Sequence, residues 1–346
     1  MRLPSLAAAP LAASTQPYLR TAPLTLCASE TGDESALADE AVAAAPTVAT
    51  ALLILNGVTV LWGSQHAVIK SVVDATGSPE ALNAVRFGIA ALVALPFAPE
   101  LVGGDDSDDT WSAGAELGCW MFAGFALQAV GLQLTSASRS AFLLYLNVKL
   151  VPVLAFLLYG RQIAARTWAS AAVAVAGTTL LSFDGTPPCA GDGWSLAAAL
   201  TSAAFILRLE RYSSRFDAAA LNAATLATTA ALCAGWALTA AAFDSAVPGA
   251  AELPATLARQ AELMAGQAPA LLYLSLVTTA LANWLQALGQ KSVSAQDAAI
   301  VYALDPVYGA LFAAALLGER LGPQGLAGAA LVLAGVALSR GGEDGE

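Results

Sequence analysis

Recurrent apolar runs constrain this chain more than any other feature of its sequence. Runs of roughly 20 apolar residues follow one another from residue 50 to residue 340, and each can cross about 30 Å of hydrocarbon as a helix. Charged residues make up 12% of the chain, compared with roughly 25% in soluble domains. The sequence therefore predicts an all-α membrane protein.

The runs divide into ten predicted transmembrane helices, five in each half of the chain. We expect them at 50–72, 80–97, 114–134, 139–158, 167–183, 193–211, 219–242, 269–290, 295–317 and 324–340. An odd number of crossings in the first half means that the second half enters the membrane from the opposite face. Inverted repeats of this kind are typical of secondary transporters.

An internal similarity supports the division into halves. Leu127–Leu181 aligns without a gap with Leu285–Ser339. The alignment pairs Gln128 with Gln286, Gly131 with Gly289, Ser136 with Ser294, Gly160 with Gly318 and Gly177 with Gly335. We interpret residues 50–183 and 193–340 as two related five-helix repeats.

The ends of the chain differ from the apolar region. Residues 1–28 contain Arg2 and Arg20, and no acidic residue precedes Glu30, which is a composition typical of a chloroplast transit peptide. A disordered tail is the alternative. Residues 29–49 form an acidic spacer and 341–346 a short acidic tail. Short loops on the side of the termini hold more Lys and Arg, which predicts both termini in the stroma, at the inner envelope or the thylakoid.

Three stretches in a fixed order resemble the EamA family of the drug/metabolite transporter superfamily. They are LWGSQHAVIK at Leu61–Lys70, Arg86-Phe87, and LLGERL from Leu316 followed by GLAGAALVLAGVAL. The resemblance implies ten helices in two inverted repeats, with a substrate cavity between the halves that opens alternately to either side. It also implies small polar or amphipathic solutes, moved by exchange or by coupling to an ion gradient.

Ionisable side chains inside the spans are the candidate site residues, because each costs an estimated 2.5 to 3.5 kcal/mol at the centre of a span. Asp305 lies near the middle of the ninth span, and Asn147 is its repeat counterpart in the fourth. Pro152 and Pro306 each lack an N–H, so both spans should expose backbone acceptors near the midplane. Such irregular backbone is tolerated where it lines a cavity.

Aromatic residues flank the acid of the ninth span. Tyr302, Asp305, Tyr308, Gly309 and Phe312 follow helical spacing and form one stripe. An acid in this setting can bind an amine, hydrogen-bond a sugar or carry a coupling proton.

Lys149 allows two interpretations. It is two residues from Asn147 and points to nearly the opposite face of the helix, together with Tyr145. Lys149 is either an anchor for an anionic substrate and counter-ion to Asp305, or one partner of a Lys149–Asp305 salt bridge that locks the halves together.

The other intramembrane polar residues complete the set. His66 is a candidate for proton coupling or a packing residue, and Asn283 and Trp284 are further cavity candidates. We assign structural roles to Arg86, Lys70, Pro152, Pro306, Gln128, Gln286, Glu319 and Arg320.

Several function classes are disfavoured by absent motifs. The sequence has no GxxxxGK[ST] loop, no HExxH and no Gly-x-Ser-x-Gly, and no basic face for nucleic acid. We therefore expect neither an enzyme nor a cofactor or metal site. The predicted function is secondary transport or exchange of a small organic metabolite across a plastid membrane, with a homodimer left open. The alternative is a non-transporting membrane subunit or receptor with the same fold.

Overall fold

The computed structural model describes residues 46–102, 107–160, 187–246, 252–302, 304–318 and 322–340, with a few positions between 168 and 180. Every regular element within these residues is helical, so the all-helical prediction is confirmed there. The predicted transit peptide, the acidic tail and almost all of the spacer lie outside the described residues.

Twelve helices are labelled here in chain order. They are α1 (Val48–Thr76), α2 (Pro79–Ala94), α3 (Ser107–Leu134), α4 (Ala137–Leu144), α5 (Asn147–Tyr159), α6 (Ala190–Ser213), α7 (Ala218–Ser245), α8 (Leu253–Ala265), α9 (Ala268–Gln290), α10 (Ala295–Tyr302), α11 (Asp305–Leu317) and α12 (Pro323–Arg340). The middle of α9, Tyr273–Leu281, is wound as a π-helix.

Among the described residues, seven segments are long and apolar enough to cross a membrane, counting α4 and α5 as one. Shorter apolar helices occur at Val307–Leu317 and Pro323–Gly335. Most of the predicted fifth span, 167–183, lies outside the described residues. The expected number of ten spans is therefore not confirmed.

The fourth and ninth predicted spans are each interrupted at the same place. Leu146 N–H donates to the carbonyl of Leu143 at 3.1 Å between α4 and α5, and Leu304 N–H donates to that of Val301 at 3.2 Å between α10 and α11. Each pair lies 158 residues from its counterpart (301 − 143 and 304 − 146). The two continuous helices that the sequence predicted are thus both replaced by two shorter ones.

The ends of these interrupted spans also correspond. The Ser136 side chain accepts from the N–H of Arg139, and the Ser294 side chain accepts from that of Asp297. Gly160 ends α5 with φ of 65°, and Gly318 ends α11 with φ of 68°, a conformation that glycine adopts without steric cost. The residues that the sequence alignment paired therefore have the same local structure.

The first helix of each predicted half packs against later helices of the other half. Helix α1 contacts α9, α10 and α11, whereas α6 contacts α3, α4 and α5. Small residues allow the close approach: Gly131 lies against Ser195 of α6, and its counterpart Gly289 lies against Leu55 of α1. The two predicted halves therefore pack into each other and do not lie side by side.

Large apolar side chains cover the outside of the bundle. Leu53, Leu92, Leu157 and Phe243 are all more than three-fifths exposed. In water this surface would be strongly unfavourable, but lipid chains solvate it. The exterior therefore fits a bilayer.

Candidate functional site

A close contact between α1 and α11 positions the main polar cluster. Gly63 of α1 lies directly against Tyr308 and Gly309 of α11, and a Cβ atom on Gly63 would be 3.0 Å from the Gly309 nitrogen. The absence of a side chain at Gly63 thus lets the two backbones meet. One turn further along α1, His66 faces the start of α11.

His66 is fully buried and bridges two helices. Its Nε2 lies 3.0 Å from Asp305 Oδ2, and its Nδ1 lies 3.1 Å from Gln128 Nε2. An amide nitrogen only donates, so Nδ1 is the acceptor and the ring proton sits on Nε2, which donates to the carboxylate. Gln128 therefore fixes the tautomer that His66 presents to Asp305.

The start of α11 suits the charge of Asp305. Its carboxylate lies in the first turn of this helix, where backbone N–H groups leave a partial positive charge. Asn147 occupies the corresponding first turn of α5. Both interrupted spans therefore place a short polar side chain at a helix start inside the bundle, at the two positions that the repeat alignment paired.

A cavity of about 70 Å³, partly open to the outside, lies beside this cluster. Its wall combines aromatic rings with amide side chains and one carboxylate. The lining residues are Trp62, Gln65, Trp120, Met121, Gly124, Phe125, Gln128, Leu144, Tyr145, Asn147, Ser202, Phe205, Ile206, Asn283, Gln286, Tyr302 and Asp305. Its mixed apolar and polar lining is that of a small-molecule site.

The structure brings five of the predicted site residues together at this cavity. These are Tyr145, Asn147, Asn283, Tyr302 and Asp305. His66 stands behind Asp305 and reaches the cavity through that carboxylate.

Three other predicted site residues lie elsewhere. Tyr308 packs on α1, with its hydroxyl 3.4 Å from Asn56 Oδ1, because the interruption before α11 separates it from Tyr302. Trp284 is 38% exposed on the outside of α9, and Lys149 is buried away from the lining.

The Lys149–Asp305 salt bridge is not the contact that the structure shows. Within the described part of the chain, the Asp305 carboxylate instead accepts a hydrogen bond from His66. Lys149 lies on the side of α5 opposite Asn147, as helical geometry requires for residues two apart. Since Asn147 lines the cavity, Lys149 does not.

Part of the cavity wall was not predicted from the sequence, and two residues predicted to mediate packing also line it. Trp62 and Gln65 lie within the quoted LWGSQHAVIK motif but were not singled out, and Trp120 was also missed. Gln128 and Gln286 were assigned to packing, yet both line the cavity. The sequence did contain a signal for this position, because both predicted halves have a glutamine at the same depth. An amide that faced lipid would be costly, which favours a position that faces a cavity.

Several buried polar atoms of the cavity residues have no hydrogen-bond partner within the described chain. They are Trp62 Nε1, Asp305 Oδ1 and Gln286 Nε2. Buried polar groups are nearly always satisfied in folded proteins. Unsatisfied donors and acceptors on one cavity wall indicate that a ligand or water completes them.

Arg86 joins this region to α9. Its guanidinium is fully buried, with Nε donating to Thr279 at 2.6 Å and Nη2 donating to Gln65 at 2.7 Å. It also lies over the rings of Phe87 and Phe125, a favourable cation–π arrangement. Arg86 therefore holds a cavity residue against the π-helical part of α9, in keeping with its predicted structural role.

The remaining predicted structural residues are distributed along the helices. Lys70 Nζ donates to Asp74 at 2.9 Å and to the carbonyl of Leu132 at 3.0 Å. Pro152 lies inside α5. Pro306 lies in the first turn of α11, not in a helix interior, where a missing N–H has no cost. Glu319 and Arg320 lie outside the described residues.

Two ion pairs hold α6 near its two ends. Arg139 Nη2 donates to Asp192 Oδ2 at 2.6 Å, and Asp192 also accepts from Thr135. Arg208 and Tyr212 both donate to Glu116 Oε2 at 2.5 Å. Residues 192 and 208 are separated by about 24 Å along a helix. Charged contacts thus lie on either side of the cavity.

The sequence matches the EamA-like transporter family over residues 49–183 and again over residues 190–341. The chain belongs to the EamA-like transporter family. An uncharacterized transporter of Archaeoglobus fulgidus is similar to this EamA-like chain, with 30% identity over 282 residues, 81% of this chain and 82% of that protein. The family and this relative identify an integral membrane protein of the transporter type.

A solved crystal structure has the fold of this EamA-like protein. It superposes with a TM-score of 0.59 at 20% identity, over 84% of this chain and 96% of the other. At this identity the likeness concerns the fold alone.

Proposed function

We propose that this EamA-like protein is a secondary transporter or exchanger of a small organic metabolite that works by alternating access. The observation that carries the proposal is the cavity itself, which lies inside the bundle and ends at the His66–Asp305 pair. A buried carboxylate with one unsatisfied oxygen has a substantial energetic cost. Binding of a solute or a proton offsets that cost.

The arrangement of the helices supports an inverted-repeat mechanism. Matching interruptions at α4–α5 and α10–α11, together with the reciprocal packing of α1 and α6, fit two related units that rock against each other. In this mechanism the cavity stays at the interruptions while access alternates between the two faces.

Coupling to protons is part of the proposal. His66 donates one hydrogen bond to Asp305 Oδ2, and the second carboxylate oxygen, Oδ1, is buried without a partner in a residue that lines the cavity. A proton that arrives at this oxygen would neutralise the acid and weaken its interaction with His66. The pair therefore can link protonation to substrate binding.

We place the transporter in a plastid membrane, either the inner envelope or the thylakoid, with both termini in the stroma. The composition of residues 1–28 and the distribution of Lys and Arg between loops support this location. A fluorescent fusion to the C-terminus of the full chain tests it, and exclusion from plastids would contradict it.

Uptake by purified full-length protein in liposomes tests the transport function. We expect at least one member of a plastid metabolite panel to enter, and Asp305→Asn to reduce its initial rate by about tenfold or more because the buried charge is lost. Asp74→Asn is the matched control, since Asp74 is exposed and pairs with Lys70 at the end of α1.

A pH gradient separates the modes of transport. Uptake that follows an imposed gradient supports proton coupling, and gradient-independent counterflow supports an exchanger. If no solute crosses although the protein is folded, transport is contradicted and a membrane receptor or subunit with this fold replaces it.

A further inference from the structure

We infer that the cavity selects a flat, uncharged or cationic solute that carries an N–H group, and that it disfavours anions. This inference rests on the proposed function and names the substrate class of the same cavity. It runs against the anionic substrate that Lys149 suggested, because Lys149 does not line the cavity.

Charge is the first argument. Among the described lining residues, Asp305 is the only one with an acidic or strongly basic side chain. Arg86 stands behind Gln65, which accepts its hydrogen bond. An anionic solute would therefore place a second negative charge next to a buried carboxylate, where like charges repel strongly. A cation or a neutral donor meets no such penalty.

The unsatisfied atoms provide the second argument. Asp305 Oδ1 is an acceptor, and Gln286 Nε2 and Trp62 Nε1 are donors. A carboxylate oxygen requires a donor from the ligand, and N–H groups of an amine or amide supply one. The carbonyl of an amide would also satisfy the donors, which a purely hydrocarbon solute leaves unmet.

Ring geometry provides the third argument. The Trp62 and Tyr302 rings are 5.2 Å apart between centroids and tilted by 53°, and Trp120 and Phe125 also line the cavity. Aromatic walls favour a flat apolar body by offset or edge contacts, and they favour a nearby cation through their ring faces. The preference for a flat apolar group and the preference for a cation thus indicate the same class of solute.

A matched ligand series tests the inference directly. Phenethylamine, phenylacetamide and phenylacetate share one phenyl ring and differ mainly in charge. We expect titration calorimetry on the detergent-purified full chain at neutral pH to show the amine and the amide binding at least about tenfold more tightly than the acid, as like-charge exclusion predicts. Equal or tighter binding of phenylacetate, or no binding of any of the three, would overturn the inference.

Variants assign the preference to particular groups. Asp305→Asn should weaken the binding of phenethylamine by about tenfold and leave the binding of phenylacetamide nearly unchanged, since only the amine interacts with the charge of the carboxylate. Trp62→Phe keeps an aromatic ring but removes the N–H donor, so it should weaken the binding of phenylacetamide several-fold more than that of phenethylamine. Asp74→Asn should change the binding of neither ligand. An unchanged amine preference in Asp305→Asn would contradict the assigned role of the carboxylate.

Failure of this inference and failure of transport are distinguishable. Binding in the expected order without flux into liposomes would remove the transport function and leave the ligand class intact. Asp305-dependent uptake of an anionic metabolite would keep the transport function and refute the ligand class.

Discussion

At the residue scale, the partner of Asp305 is a buried histidine. The carboxylate receives a hydrogen bond from His66, whose other nitrogen is occupied by Gln128. The sequence predicted that Asp305 would lie at a midplane site, because an acid within a span requires a partner or a cavity. It could not predict the partner, because both Lys149 and His66 were available and the choice depends on how each helix is rotated.

A double-mutant cycle measures this pairing. His66→Phe should lower the free energy of unfolding by about 3 kcal/mol, because it leaves Asp305 buried without a donor. Asp305→Leu in the same chain should recover much of that loss, since two apolar groups leave nothing unsatisfied, while uptake stays abolished. Thermal unfolding in detergent and liposome uptake provide the two measurements. Strictly additive losses would show that the two side chains do not interact.

At the element scale, the interruptions between α4 and α5 and between α10 and α11 shape the cavity. The sequence predicted the equivalence of Asn147 and Asp305, because it follows from the gap-free repeat. It did not predict that both helices would break. Pro306 directly follows the second break, whereas Pro152 lies inside α5. Proline alone therefore does not explain a break that both spans share, and contacts with neighbouring helices contribute to it.

The close contact between α1 and α11 can be tested by a substitution at Gly63. Gly63→Ala should lower the free energy of unfolding by roughly 1–3 kcal/mol, because the added methyl meets Tyr308 and forces the helices apart. It should also reduce uptake by moving His66 away from Asp305. Thermal unfolding and uptake are measured together.

Gly57→Ala supplies the control for that experiment. Gly57 lies on the same helix with no atom within 4 Å of the added methyl, so the change should be neutral or slightly stabilising. Equal effects of the two substitutions would mean that the loss arises from helix propensity and not from the contact with α11.

At the scale of the whole molecule, α6 is held by ion pairs near both ends. Asp192 accepts from Arg139, Thr135 and the N–H of Cys189, whereas the Glu116–Arg208 contact near the other end is more exposed. The sequence did not predict these two pairs, because nothing local shows which acid a distant base such as Arg139 or Arg208 will meet. In the proposed mechanism these contacts must loosen as α6 moves against α3 and α4.

The reactivity of Cys189 provides a measure of the Arg139–Asp192 pair near the start of α6. Asp192→Asn should increase maleimide labelling of Cys189 several-fold, because a neutral amide cannot keep the charge-assisted bond to Arg139. Peptide mass spectrometry of the labelled protein in liposomes identifies the site. Glu116→Gln disrupts the pair near the other end and should leave Cys189 labelling unchanged. An increase in both variants would indicate general loosening of the bundle.

The interlocked halves also have a consequence for biosynthesis. His66 and Asp305 are 239 residues apart, and at 5–20 residues per second the ribosome needs roughly 10–50 s to make the intervening chain. Throughout that time α1 lacks the helices that will cover Gly63 and His66. The amino-terminal half that is made first therefore exposes unpaired polar groups, and it depends on a chaperone or on temporary helix contacts until the last third of the protein has been made.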